Sequence, residues 1–561
     1  DERNRSGGVG VYYHFDYHGG PRSYQWINTN PIPKIWDQMS LAKQYGADRI
    51  WIVNVGHFKG YEFPMEYFFS LAWDTEAHGS DDILGYTRRW AAREFGPEHA
   101  DEITDIISLY TKFNGRRKPE LLSPITYSLT DYHEAEWIVR EYNALASRAE
   151  EIQNELPEEM HNAFYDLVLF PVKASALVNE LYVTAGKNAL YARQGRSLTN
   201  EMAGRTEALF QTDTALMGFY NRSFAGGKWN HFMDQAHLGY INWADPPVNS
   251  LRAIKLIRIE VPEAASMGVA VEGSEKSWPG EEMAAVLPES DNFKRQERYI
   301  EVFNKGIEPF QYSVTTDNPW IILSHTGGIV TGEQRIDIKI DWSLLPYGRH
   351  TGTIRVSGTG IEVPVSISAF NPALPQAATM KGFIEADGYV SIEAEHYTAA
   401  NKTVERYWER IEDYGHTLSA MRATTVTDAP PATPGKDSPS LEYMMYLFST
   451  GKFEITLRLA PTLNFIPGRD LKIGISFDDD TPQIVTVVPK EFNAQNGNRE
   501  WENTVMDNAR FVKAELSVRE AGYHTLKVWM IDPGIVLEKI VLNTGGVRPS
   551  YLGPPESYRN F

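Results

Sequence analysis

The 561-residue chain has no cysteine, which excludes disulfides and thiolate metal sites. It is poor in positive charge. Lys and Arg number 54 against 74 Asp and Glu, for a net charge of −20 and a pI of about 5.2. That sign disfavours nucleic acid and anionic membrane surfaces as partners and suits a neutral or lightly charged polymer. No apolar run approaches the roughly 20 residues of a membrane span. There is no phosphate loop, dinucleotide fingerprint, Gly-x-Ser-x-Gly elbow or His-Glu-x-x-His, and no heptad array, short repeat or low-complexity tract. The N-terminus shows no export leader, but a mature or truncated chain would have lost one.

What the chain does have is 42% hydrophobic and 12% aromatic content, enough for folded cores, and a length that predicts about three to five domains. The most informative stretch is GVGVYYHFDYHGGPRSYQW, Gly8–Trp26. It reads as a strand running into a polar, glycine-rich loop. Side chains two apart share a strand face. Val11, Tyr13, Phe15 and Tyr17 are therefore expected on one face, and Tyr12, His14, Asp16 and His18 on the other. Pro31 and Pro33 suit the first turn of a helix, and Ile32, Ile35, Trp36, Met39 and Ala42 follow at helical spacing. Gly46 ends it. Arg49–Val55 is then a nearly all-apolar run, as in a parallel strand buried on both faces. Pro64 opens another amphipathic helix. These are two βα units, the first beginning almost at residue 1, so the chain is expected to open inside a larger α/β domain. Both strands carry polar groups (Asp16, Asn54) at the C-terminal end, where (β/α) barrels place active sites.

Residues 79–257 read as an antiparallel helical bundle, with Asp131-x-x-Glu134 as a capping box and Pro171 as a kink. Near its end, Lys228–Trp243 is dense in aromatics and histidine. It is either packing where the bundle meets its neighbour or a contribution to a sugar site. Residues 258–372 alternate with period two, as at Ile336, Ile338 and Ile340, and predict a small Ig-like antiparallel sandwich. A proline-bearing linker follows at Phe370–Gln376. Residues 376–547 predict a second all-β sandwich and 548–561 an extended Gly/Pro-rich tail. In that second unit, IEAEHY and MIDPGIVLEKIVL resemble the first and last strands of carbohydrate-binding modules. The resemblance implies a structural calcium shared by Glu393 and Asp532, although two carboxylates do not make a six- to eight-oxygen cage.

The opening region offers the chemistry. His14, Asp16 and His18 on one face could bind zinc or iron, but no further ligand can be nominated. They could instead form a hydrogen-bonding wall for a sugar, or a purely structural polar cluster. Asp16 is the best-placed carboxylate for acid/base work. Glu62 and Glu66 read as solvent or helix-terminus residues. Arg22 is a candidate partner for a substrate carboxylate, against the alternative of a surface charge. Asn54 suits a hydroxyl or carboxylate. Tyr17, Tyr24 and Trp26 could stack on a ring, or Trp26 could simply pack.

GVGVYYHFDYHGGPRSYQWINTNPIPKIWDQM, AKQYGADRIWIVNVG, EFPMEYFFSLAWD and DQAHLGYINW strongly resemble family-115 glycoside hydrolases, the xylan α-1,2-glucuronidases. The resemblance implies a multidomain α/β plus α plus β protein whose residues 1–78 are the last two βα units of a (β/α)8 barrel. It implies removal of (4-O-methyl-)glucuronic acid from glucuronoxylan by inversion, with no cofactor required. Tyr17 and Asn54 match positions lining the family's pocket; the alternation alone makes His14 and Asp16 their near neighbours, and His14, His18 and Arg22 are further substrate-binding candidates. It also implies a homodimer, and a periplasmic or secreted location follows from the polymeric substrate. Six barrel strands and an N-terminal domain would lie outside this chain, with the principal acid and base mainly on them, so the chain alone is expected to be inactive. The alternative is a non-catalytic polysaccharide-binding or scaffold protein. Nucleic acid and membrane are not expected partners.

Overall fold

The computed structural model of the chain describes residues 6–424 and 429–560. Strands β1 (Val11–His14) and β2 (Trp51–Asn54) pair in parallel, with Val11 opposite Trp51 and His14 opposite Asn54. Between them runs helix α1 (Ile32–Gln44), and after them α2 (Glu62–Trp73). Pro31 caps α1 and Pro33 lies in its first turn, where a missing N–H costs nothing. The stripe Ile32, Ile35, Trp36 and Met39 is buried, as its helical spacing requires.

The first strand is shorter than its alternation predicts. The chain leaves the sheet at Phe15, whose N–H still reaches the Asn54 carbonyl, and Tyr17 and Tyr24 then exchange two backbone hydrogen bonds. Phe15 and Asp16 are both buried in consecutive positions, so His14, Asp16 and His18 do not form one strand face. Among the described residues no third strand joins this sheet, and Tyr12, Ile50 and Ile52 remain exposed.

The helical part comprises α3 (Ile83–Phe95), α4 (Ala100–Arg116), α5 (Glu134–Glu155), α6 (Glu158–Phe164), α7 (Phe170–Gln194) and α8 (Thr199–Arg222). The expected capping box at Asp131–Glu134 does not form. The residue before α5 is His133, in the left-handed conformation and with no side-chain cap. Glu134 instead accepts N–H groups from Ser128, Tyr551 and Leu552. Pro171, expected to kink its helix, lies in the first turn of α7. A π-turn at Tyr165–Leu169 precedes it and leads straight into α7, so the missing N–H is absorbed by the wider turn. The stretch Glu158–Gln194 is, by length and composition, apolar enough to cross a membrane, contrary to the sequence expectation. However, 78% of its apolar window is buried inside the protein, which is the state of a core helix.

Residues 267–371 form a four-stranded and a six-stranded sheet that share one hydrophobic cluster, with Ile300, Ile336 and Ile338 from one sheet meeting Val314, Ile354 and Val365 from the other. Residues 382–560 form a seven-stranded and a six-stranded sheet around a second cluster. The C-terminus is not a free tail. Arg559–Asn560 pairs antiparallel with Gly382–Phe383, and the Ser557 N–H reaches the Ser391 carbonyl. This C-terminal two-sheet unit packs directly on the first βα unit. Buried Arg422 bonds Asp37 and Ser40 of α1 at 3.1 and 3.2 Å, pairs with Glu409, and lies 4.1 Å over the Trp36 ring.

Candidate functional site

The C-terminal ends of β1 and β2 bring His14 and Asn54 side by side. Nδ1 of His14 lies 3.1 Å from the Asn54 amide nitrogen and 3.2 Å from the Asp16 carbonyl oxygen. The rings of His14 and Tyr17 meet edge-on at 5.4 Å, and those of Tyr17 and Tyr24 lie 6.2 Å apart with their planes tilted by 35°. Of the residues singled out in the sequence, the structure thus gathers His14, Tyr17, Asn54 and the Asp16 backbone at one place.

The Asp16 carboxyl itself turns inward. It is 3% exposed, and Oδ1 has no hydrogen-bond partner among the described residues. Burial pushes its pKa up to about 6. The Gly56 N–H opposes this, and the Glu120 carboxylate nearby adds to it. Gly56 is glycine for steric reasons, since a Cβ there would come within 2.2 Å of Asp16 Oδ2.

His18 does not join a metal site. It is largely exposed and its Nδ1 lies 2.8 Å from Asp245 Oδ2, with Trp243 against its ring. No group of three or more His, Asp or Glu is arranged to hold a metal ion among the described residues, so the zinc or iron reading of His14, Asp16 and His18 has no geometric basis. The calcium pair also separates. Glu393 pairs with Lys539 at 3.1 Å and accepts the Thr417 hydroxyl, whereas Asp532 pairs with Arg469 at 2.9 Å and accepts the Lys472 N–H. Each carboxylate has its own cation, and among the described residues no contact joins the two.

Arg22 is not a surface charge. It is partly buried, donates to the Glu120 carbonyl at 3.0 Å and lies 4.9 Å from the Tyr240 ring centroid; its Nε is buried without a hydrogen bond among the described residues. Glu62 pairs with Lys59, and Glu66 with Arg93 and the Tyr86 hydroxyl, so neither enters the site.

Sequence reasoning missed Glu120. It is 2% exposed, and Oε1 accepts the N–H groups of Gln25 and Trp26 at 3.0 and 3.1 Å. It holds the loop after β1 from 94 residues away. Lys118 was missed too. It lies 4.5 Å from the Tyr24 ring centroid, and burial pulls its pKa down to about 7, with the Lys34 ammonium adding to the effect. Their only signal is the run RRKPE at Arg116–Glu120, which reads as an ordinary charged helix end.

The aromatic stretch after α8 packs against the loop after β1. His237 stacks on Trp26 at 3.6 Å and bonds Asp213 of α8 at 2.9 Å, all three buried. The Ser23 N–H reaches the Trp243 carbonyl, and Tyr240 bonds Asp245. So it is packing, and the packing shapes the loop that carries the site. From the other side comes the C-terminal unit, with helix α9 (Arg499–Asp507) and the loop before it. Lys34 bonds Asn508, and a Cβ at Gly20 would meet Asn496 Oδ1 at 2.9 Å. The second all-β unit therefore touches the site loop within one chain.

Two family profiles match the chain: "Glycosyl hydrolase family 115" over residues 1–121 and "Glycosyl hydrolase family 115 C-terminal domain" over residues 382–556. Together they cover a little over half of it. Among solved structures, the chain resembles BtGH115A, a family GH115 4-O-methyl-α-glucuronidase with specificity for decorated arabinogalactans. The identity is 18% and the TM-score 0.59, over 96% of this chain and 52% of that one. This chain thus spans about half the length of that protein. The C-terminal CBM6 of the laminarinase LamC from Zobellia galactanivorans matches at 14% identity over 28% of this chain and 98% of its own, with a TM-score of 0.18. A family 35 carbohydrate-binding module from Clostridium thermocellum matches at 15% over 27% and 97%, with a TM-score of 0.19. No functionally curated protein matches the chain.

Proposed function

This chain belongs to glycoside hydrolase family 115, and from that premise we propose that it is part of an α-glucuronidase that removes (4-O-methyl-)glucuronic acid from glucuronoxylan. In this reading β1, α1, β2 and α2 are βα units of a (β/α)8 barrel, and their strand ends form one wall of the substrate pocket. The observation that carries it is the convergence of His14, Asn54 and Tyr17 at the C-terminal ends of two parallel strands, the position at which barrel enzymes build their sites. Asn54 and His14 take sugar hydroxyls, the tyrosines offer ring faces, and Arg22, with its unpartnered Nε, faces the uronic carboxylate. Inversion needs two carboxyl groups with a water between them. Asp16 is the candidate from this chain, and the other comes from outside it. No cofactor is needed for that chemistry. A dimer and a periplasmic or secreted location belong to the same proposal, because the substrate is an extracellular polymer.

A second substrate is favoured by one observation: BtGH115A acts on decorated arabinogalactans. The experiment compares both polymers. With the remaining barrel strands supplied, Asn54→Ala should cut release of glucuronic acid from the preferred polymer about a hundredfold, as loss of a positioning contact does, with an unchanged thermal melt. An unchanged rate would remove Asn54 from the site. Assayed alone, the 561-residue chain should release none from either polymer, since a two-stranded sheet presents one wall and its candidate carboxyl, that of Asp16, is buried. Release by the chain alone would overturn that division of labour.

A further inference from the structure

A cavity lies away from the β1–β2 end. It measures about 460 Å³ and sits where the start of α5 meets the C-terminal two-sheet unit and residues 552–556. That volume suits a small ligand. Trp137 lines it. The Arg116 guanidinium lies 5.4 Å from its ring centroid and Phe113 meets it edge-on at 6.3 Å, but the ring is only partly buried and its indole N–H makes no hydrogen bond among the described residues, so the part left open offers an apolar surface and a free donor.

The polar part of the lining is built and buried. Lys539 pairs with Glu393 at 3.1 Å, its one ion-pair partner among the described residues, and the Thr417 hydroxyl donates to the other Glu393 oxygen at 2.6 Å. An ammonium has three donors, so Lys539 keeps capacity for a ligand. The backbone at the rim is held in a costly state. Tyr132 and His133, both lining residues, have φ of +58° and +53°, unusual for two successive bulky residues. Neighbours over-determine that conformation. Arg548 lies 4.6 Å over the Tyr132 ring and donates its backbone N–H to the Tyr132 hydroxyl at 2.9 Å, while Arg335 reaches His133 at 3.3 Å.

The charges select the ligand. Three carboxylates, those of Glu134, Glu393 and Glu556, line the cavity with two cations, Arg140 and Lys539, and Glu556 is further paired with Arg559 at 3.4 Å, so the charges balance and favour a neutral ligand. Although three carboxylates are present, they are not grouped to hold a metal ion. A neutral, hydroxyl-rich ring meets every requirement, because it can stack on the indole and set its hydroxyls between carboxylate acceptors and ammonium donors. We propose that this cavity is a carbohydrate-binding site, separate from the β1–β2 end, that takes a neutral mono- or disaccharide unit of a polysaccharide with Trp137 as its platform and the Glu393–Lys539 pair as its polar floor.

The test uses the 561-residue chain labelled with 5-fluorotryptophan and followed by 19F NMR. Xylobiose and cellobiose are the probes. The resonance missing from Trp137→Tyr belongs to Trp137. On titration with at least one of these sugars it should shift in the wild type, and Trp137→Ala should raise the dissociation constant at least tenfold. Neither sugar binding at millimolar concentration would overturn the proposal. So would binding that leaves the Trp137 resonance in place, a reading that stands even where Trp137→Ala fails to fold. Glucuronic acid, the probe of the β1–β2 end, is titrated separately, so failure there does not bear on this cavity.

Discussion

Asp16 loses its water on folding without gaining a cation. Among the described residues it has no ion pair, and its Oδ1 has no hydrogen bond. The protonated form is therefore favoured in the fold, with a pKa near 6 against 3.8 for the unfolded chain. Because the folded value is the higher one, its contribution to stability is fully present below pH 3.8 and is lost as the pH rises through about 6. Asp16→Asn keeps the shape and removes the ionisation. It should be close to neutral at pH 4 and stabilise the chain by about 1–3 kcal/mol at pH 8, measured by urea unfolding at both pH values. Equal effects at the two would show that Asp16 ionises freely in the fold.

At the scale of elements, the loop after β1 is held from three directions. Glu120, after α4, accepts the Gln25 and Trp26 N–H groups; His237 stacks on Trp26; and Trp243 takes the Ser23 N–H. The loop has little regular structure of its own, so its shape depends on these anchors. Glu120→Ala leaves two N–H groups unpaired and should cost about 2–6 kcal/mol, from roughly 1–3 for each unsatisfied group. Hydrogen exchange at Gln25 and Trp26 should accelerate in that variant. Glu120→Gln keeps an acceptor oxygen and should retain the protection. Equal exchange in the two variants would mean that the carboxylate does not anchor the loop.

At the scale of the whole molecule, one hydrophobic cluster runs from Phe15 and Trp26 through the helices to Ile411, Tyr414 and Val536 of the C-terminal unit. The two-sheet unit is therefore part of the support of the site. Arg422 is the electrostatic centre of that contact. Arg422→Met strands the buried Asp37 carboxylate and should cost about 3–5 kcal/mol. Adding Asp37→Asn removes the stranded charge and should recover a large part of the loss, as read by urea unfolding with tryptophan fluorescence. A double variant no more stable than Arg422→Met would show that packing, and not charge, governs the contact.

The order of elements was legible in the residues. Pro31, Pro33 and Gly46 bracket α1, the apolar run at Arg49–Val55 marks β2, and period-two alternation at Ile336–Ile340 marks a sheet, because these are local preferences of backbone and side chain. His14 and Asn54 could be placed at strand ends for the same reason. The length of β1 was not legible, because alternation persists in the residue types after the chain has left the sheet at Phe15. Nor was the π-turn before Pro171, or the use of Glu134 to bind the C-terminal segment in place of capping α5. The direction of the Asp16 carboxyl, the anchor at Glu120, the cations that occupy Glu393 and Asp532, and the cavity at Trp137 were decided only by the tertiary structure. Each depends on groups that meet across tens to hundreds of residues, and their burial and charge balance have no local trace in the sequence.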